Sequence, residues 1–329
     1  MAFFQKILHK LNGIRYRQEY LCIPLGQHAH PLYAFLVSDN IAIKDITTLY
    51  SMVGICPLIF ALPALDELDL DVQDKINIVY SAIPLKIGSA ILTKNSVAEL
   101  CLKRIKIQRI GQYSIYYFEG ERGRHSFLSF FNQFVIRLNN RLYNKKKGNI
   151  FLEGNLYTQI QIVYSIPQVI SLITVGSDNL YNVFPTDQHG QITDEHYVIT
   201  LRHAGKACKQ VEATKRIVLS NIEASYYKEV YSFGKNHMQP PKEKSNFDFS
   251  ETQSQILNLP LPRCTIEYRE LELQDFFIHG IHKVLLFKIL SHQTVSDKNT
   301  TLACINNVYA TWRYKNNLPN NYFVNELPG

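Results

Sequence analysis

Residues 197–222 read YVITLRHAGKACKQVEATKRIVLSNI. The opening YVITL is aromatic and β-branched, as a buried strand requires. Residues 206–214 then carry a helical pattern, and RIVLS at 216–220 is a second short apolar run. Between the first strand and the helix stands Arg202-His203-Ala204-Gly205-Lys206. Cations there lie beside a helix N-terminus, whose free N–H groups and dipole favour an anion such as phosphate. Arg grips phosphate through two parallel bonds and Lys acts as a point charge. Ordinary turn chemistry with exposed cations accounts for the spacing equally well.

Strand signals continue on both sides of this stretch. They fall at 157–163 (YTQIQIV), 168–175 (QVISLITV), 265–273 (TIEYRELEL), 283–291 (KVLLFKILS) and 309–314, with a long polar segment at 234–254. Many strands with a single buried-looking helix predict an antiparallel barrel. After one strand, Asn182-Val183-Phe184-Pro185-Thr186-Asp187 offers an amide, a hydroxyl and a turn. His279-Gly280-Ile281-His282-Lys283 leads into another. A histidine at a strand mouth transfers protons near neutral pH or simply bonds water, and both readings stand for His282. Its alternation with Val284 and Leu286 places it on an inward face, at a solvated rim where its pKa is expected to stay near neutrality.

The first half reads differently. Short apolar runs alternate with turns from 21 to 120, residues 97–109 admit a helix passing into a strand without periodicity settling it, and 66–74 (DELDLDVQD) reads as an exposed turn with the start of a helix. In residues 125–144, Phe127, Phe130, Phe131, Phe134, Val135, Leu138 and Leu142 make one helical face, expected to pack on the barrel. KKKGN at 145–149 suits the end of that helix. A boundary there predicts two domains, 1–148 and 149–329. The class is α+β, a basic α+β domain followed by an antiparallel barrel.

Composition limits the function. The chain of 329 residues carries 18 Phe and 20 Tyr, which excludes low-complexity disorder. Its net charge of +7 is concentrated in residues 1–150, where 19 basic side chains face 11 acidic ones. The simplest account is a solvated basic surface; no nucleic-acid motif accompanies it, and neither nucleic acid nor membrane is expected as a partner. Six scattered cysteines with no C-x-x-C pair suggest neither a disulfide framework nor a zinc site. No secretory pattern opens the sequence, so a reduced, cytoplasmic protein is expected. His28 and His30 form an H-x-H pair with no third ligand at a defined spacing, and no metal is expected. G-x-S-x-G, P-loop and G-x-G-x-x-G motifs are absent.

Taken in order, PQVISLITV with Gly176-Ser177-Asp178, NLYNVFPTD, YVITLRHAGKACKQVEATKRIVLSNI ending in Asn221, LPLPRCTIEYRELE and HGIHKVLLFKIL resemble the flavin reductase-like family of FMN-binding split barrels. The resemblance covers about 155–315. It implies an FMN-binding oxidoreductase of flavin reductase type, with FAD as the alternative flavin. NAD(P)H would be the electron donor, a small molecule the acceptor, and a homodimer the assembly. It further implies that Asn182, Thr186 and Asp187 line the flavin side, and that Arg202, His203 and Lys206 meet the phosphate or ring edge. His282 would stand at the reactive face as the catalytic residue. The sequence departs from the pattern at Cys208, where a Thr hydroxyl is usual, at Ile281, where Asp is usual, and at Asp187, whose charge repels phosphate. A non-catalytic flavin- or partner-binding barrel is the alternative reading.

Overall fold

Residues 96–125 form one long hairpin, Ser96–Ile110 against Tyr113–His125, turning at Gly111 with φ +56°. The stretch 97–109 is therefore strand throughout, which settles what its periodicity left open. The computed structural model describes residues 13–26, 32–65, 70, 74–91, 95–143, 152–318 and 325–326. His28, His30, Lys145, Lys146, Lys147 and most of the acidic run at 66–74 lie outside the described residues.

The chain divides into two compact units. Unit 1 comprises Met1–Leu21, His30–Pro167 and Ile305–Tyr322, and unit 2 comprises Cys22–Ala29, Gln168–Cys304 and Phe323–Gly329. The division thus falls after Pro167 instead of after 148, and the chain returns to unit 1 near its end. In unit 1 a seven-stranded antiparallel sheet runs in the order Ile41–Asp45, Tyr33–Ser38, Lys75–Ser81, Ser96–Ile110, Tyr113–His125, Leu58–Pro63, Ser51–Ile55. Phe35, Phe60, Tyr80, Tyr117 and Phe118 are fully buried in it.

Two helices complete the later part of this unit, α1 (Phe130–Tyr143) and α2 (Leu156–Val163). The strand expected at 157–163 is this second helix. Gln159-Ile160-Gln161-Ile162 alternates as a strand would, but all of Tyr157–Val163 is buried, so the alternation does not mark an exposed and a buried face. Its approach to the sheet depends on glycine. A Cβ at Gly123 would lie 2.9 Å from Ile162 Cδ1 and 3.0 Å from Leu100 Cδ2. Just before the helix, Asn155 accepts from Gly123 N and its Nδ2 donates to Gly123 O (2.9 Å). The strand expected at 309–314 is likewise a helix, Asn307–Lys315, started by the Asn306 side chain accepting from Val308 N at 2.9 Å.

Unit 2 contains an eight-stranded sheet. Its strands are β1 (Ser171–Ser177), β2 (Leu180–Thr186), β3 (His189–Gln191), β4 (His196–Arg202), β5 (Arg216–Ile222), β6 (Lys242–Glu243), β7 (Thr265–His279) and β8 (His282–Thr294). They are antiparallel in the order β3-β4-β8-β7-β5-β1-β2-β6. Helix α3 (Lys206–Thr214) joins β4 to β5, as the sequence pattern requires. Phe184 of β2, Ile199 of β4, Val211 of α3 and Phe287 of β8 share one core, so the sheet curls around it. The ladder does not close: β3 and β6 are unpaired with each other, and the expected barrel is an open curled sheet. The cysteines Cys22, Cys56, Cys101, Cys208, Cys264 and Cys304 are free thiols.

The glycine contact in unit 1 gives a direct check. Gly123→Val should destabilise the chain by about 1–3 kcal/mol, the usual cost of forcing methyl groups into a packed core. Urea unfolding measures this, and an unchanged midpoint would mean that α2 does not rest on the strand.

Candidate functional site

The site is built where β4 ends and α3 begins. Tyr197, Ile199 and Leu201 alternate into the core, which turns Thr200 and Arg202 to the opposite face. Arg202 is the last residue of β4 and pairs with His282, the first of β8. The chain then turns sharply. Gly205 N donates to Arg202 O at 2.9 Å, and His203 N donates to Ile281 O at 3.1 Å. Gly205 is the N-cap of α3, with φ −74° and ψ 146° and no side chain to bond the first helical N–H groups. A Cβ there would lie 3.1 Å from Arg202 O. The helix anchors itself by burying Ala207, Cys208 and Val211.

A cavity of about 300 Å³ lies against this helix start. Thr186, Asp187 and Gln188 line one side, following β2; Thr200, Arg202 and His282 come from the β4–β8 pair; Ala207 and Cys208 come from α3. Gly234, His237 and Met238 close it from the segment between β5 and β6. Thr200 Oγ1 and Gln188 Oε1 here are buried with no hydrogen-bond partner. Thr200 is only 3% exposed. Burying such groups unpaired costs roughly 1–3 kcal/mol each, and a polar ligand would relieve it.

The histidines in the cavity are neutral near pH 7. His282 is 2% exposed, and burial, reinforced by Arg202, His279 and His203, pushes its pKa down to about 4. That overturns the expectation of a solvated rim histidine titrating near neutrality. The face it shares with Val284 and Leu286 is buried, but the main core takes the alternate residues Leu285 and Phe287. His237 is also held below its usual range, chiefly by burial. Its Nε2 lies 2.8 Å from Pro185 O, so in the neutral ring Nε2–H donates and Nδ1 accepts.

Of the residues singled out in the sequence, Thr186, Asp187, Arg202 and His282 meet at this cavity. Asn182 does not. Its Nδ2 donates to Gln210 Oε1 (2.6 Å) and Asn236 O (3.1 Å), tying β2 to α3 and to the turn that carries His237. His203 and Lys206 are exposed at the turn, with Lys206 the first residue of α3. Cys208 donates its thiol to Glu212 Oε1 (3.1 Å), and burial raises its pKa to about 12. It is a neutral wall of the cavity. Asp187 accepts from Cys304 Sγ at 3.7 Å. Sequence reading passed over Gln188, Thr200, His237 and Met238. Thr200 had a usable signal, a polar residue between Ile199 and Leu201; His237 had none, because its segment reads only as a polar connection. Among the described residues no cluster of His, Cys, Asp and Glu could hold a metal ion.

No protein-family model matches the chain, and no curated protein matches it. Solved structures do. The NADH:FAD oxidoreductase SgcE6 of Streptomyces globisporus is 14% identical, with TM-score 0.39, over 45% of this chain and 87% of its own. BorF, the flavin reductase component of a bacterial two-component tryptophan halogenase, is 13% identical, with TM-score 0.39, over 44% and 91%. The styrene monooxygenase flavin reductase of Pseudomonas putida S12 is 16% identical, with TM-score 0.37, over 51% and 98%. These neighbours are flavin reductases. The likeness spans about half of this chain.

The buried histidines set the acid response. Above about pH 6.5 the His282 ring is neutral in both folded and unfolded chains; below it the unfolded chain binds a proton that the folded one refuses until about pH 4. His189, with its pKa also pushed to about 4 by burial, adds to this in the same unit. Stability is therefore lost as pH falls from 6.5 to 4, by about 1.4 kcal/mol per pH unit for each ring. His282→Gln should remove one ring's share of that slope in urea unfolding followed across this window. Parallel slopes for the two proteins would place His282 in solvent.

Proposed function

We propose that unit 2 binds a flavin mononucleotide and works as a flavin reductase-type oxidoreductase, taking hydride from NADH or NADPH. The observation that carries this reading is the cavity at the side-chain-free N-terminus of α3, with Arg202 and Thr200 on its wall and the Thr200 hydroxyl buried there without a partner. The order of sequence features resembling the flavin reductase-like family supports the same ligand. FMN fits the donor set. Its phosphate needs N–H groups and cations, which the start of α3, Arg202 and Lys206 supply. Its ring needs polar edge contacts within an otherwise apolar wall, which Thr200 and Gln188 offer.

A bound flavin would supply the redox chemistry between a nicotinamide donor and a small acceptor. The protein's part is to bind, orient and exclude water. Arg202 and Lys206 hold the anionic end. Asp187 disfavours an anion on its own side of the cavity and so directs phosphate towards the cations. Thr200 Oγ1 and Gln188 Oε1 exchange an unpaired state for a bonded one as the ligand enters. His282 is a neutral hydrogen-bonding group at the reacting face, since a ring with a pKa of about 4 lacks the acidic second proton of an imidazolium at neutral pH. His237, fixed by Pro185 O, keeps the covering segment in place.

FMN and riboflavin are the probes to use. Arg202→Ala removes a charge-assisted bond worth about 1.5–3 kcal/mol, and FMN affinity should fall about ten- to hundred-fold. Riboflavin has no phosphate and should lose almost nothing. Equal losses for both ligands, measured by fluorescence titration, would move Arg202 away from the phosphate; failure of the wild type to bind any flavin would end the proposal.

A further inference from the structure

Helix α1 (Phe130–Tyr143) is built inside out. Its inner side is held by amides: Gln133 Nε2 donates to His125 O and Leu128 O, both at 2.9 Å, and Asn140 Nδ2 donates to Leu152 O at 3.3 Å. Ile136 is buried beside them. The opposite side carries Phe130, Phe131, Phe134 and Leu138, which are 80%, 71%, 55% and 45% exposed. At about 100° per residue these four fall within an arc of roughly 100°, so they form one continuous apolar stripe. A cleft of about 520 Å³ extends the stripe to Leu152 and Tyr157, with Glu153 at its edge. Contiguous exposed apolar surface of this kind marks an interaction site.

The charge around the stripe identifies what covers it. The helix sequence FFNQFVIRLNNRLY contains no carboxylate. Arg137 and Arg141 line the cleft beside Phe134 and Leu138, and three lysines follow in the sequence at 145–147. Residues 1–150 carry most of the chain's positive charge. Protruding Phe and Leu side chains bordered by cations suit the boundary between headgroups and acyl chains of an anionic bilayer. A protein partner would need a matching concave, acidic pocket, whereas a bilayer accepts projecting side chains of any outline.

We propose that the exposed face of α1 is a docking surface for an anionic phospholipid membrane. The helix lies along the leaflet, with Phe130, Phe131, Phe134 and Leu138 entering the interface and Arg137 and Arg141 meeting the headgroups. Among the described residues no helix is long and apolar enough to cross a membrane; the contact is with one leaflet's surface. This site belongs to unit 1 and stands independently of the flavin reading.

The test is co-sedimentation of the full chain with phosphatidylcholine vesicles, made with and without phosphatidylserine. The protein should sediment with the phosphatidylserine vesicles, and raised salt should weaken that binding. The double substitution Phe130→Ser and Phe134→Ser should lower partitioning at least about tenfold, since each removes buried apolar area in the interface. Both side chains are exposed, so the core is untouched; Arg141→Glu, also at an exposed position, should give a comparable loss through charge alone. No binding to phosphatidylserine vesicles would overturn the proposal, as would equal binding by the wild type and both variants. A dimer in solution that the phenylalanine substitutions dissociate would also overturn it, giving the stripe to a second copy of the chain.

Discussion

Arg202 faces His282 because Tyr197 pairs with Phe287 and Ile199 with Leu285 along the β4–β8 ladder. That register places four core side chains on one side of the sheet and leaves Thr200, Arg202 and His282 together on the other. A slip of one residue would exchange the two faces and disperse the polar side chains. The cavity thus follows from where the core residues must go. The β4–α3 turn follows from it as well, since His203 N reaches the hairpin at Ile281 only in this register.

What was legible in the sequence was local and periodic. YVITL, the cationic turn and the 206–214 helix are contiguous, and their chemistry is carried by residues within a few positions of one another. Thr186 and Asp187 were legible because they follow an apolar run at a proline. Illegible features depended on contacts distant in sequence. Asn182 reads as a ligand-binding amide, yet Gln210 and Asn236 claim it. His282 reads as a rim residue, but neighbouring strands and the cavity wall bury it. His237 arrives from a segment with no pattern of its own. Residues 157–163 alternate like a strand, and only the space above Gly123, between Ile162 and Leu100, makes a buried helix the better packing.

In unit 2, the cavity-lining residues Thr200 and Gln188 bury Oγ1 and Oε1 without partners. Burial there also keeps His282 neutral, so the cavity's charge comes from Arg202 and Asp187. In unit 1, Gln133 and Asn140 of α1 bond to backbone carbonyls of the protein, and the helix leaves aromatic residues outside. Both arrangements are locally unfavourable, and both become favourable when something binds: a polar ligand in the first, an apolar surface in the second.

The central claim is that the Thr200 hydroxyl is left unpaired in the free protein because a flavin satisfies it. Thr200→Val keeps the shape of the side chain and removes only that hydroxyl. FMN titration of this variant, set beside its urea unfolding without ligand, tests the claim most directly. The account predicts unfolding stability equal to or above that of the wild type, because no native hydrogen bond is lost. It also predicts FMN affinity lower by about tenfold, the equivalent of one hydrogen bond of about 1.4 kcal/mol. Unchanged FMN affinity in a stably folded Thr200→Val protein would contradict it.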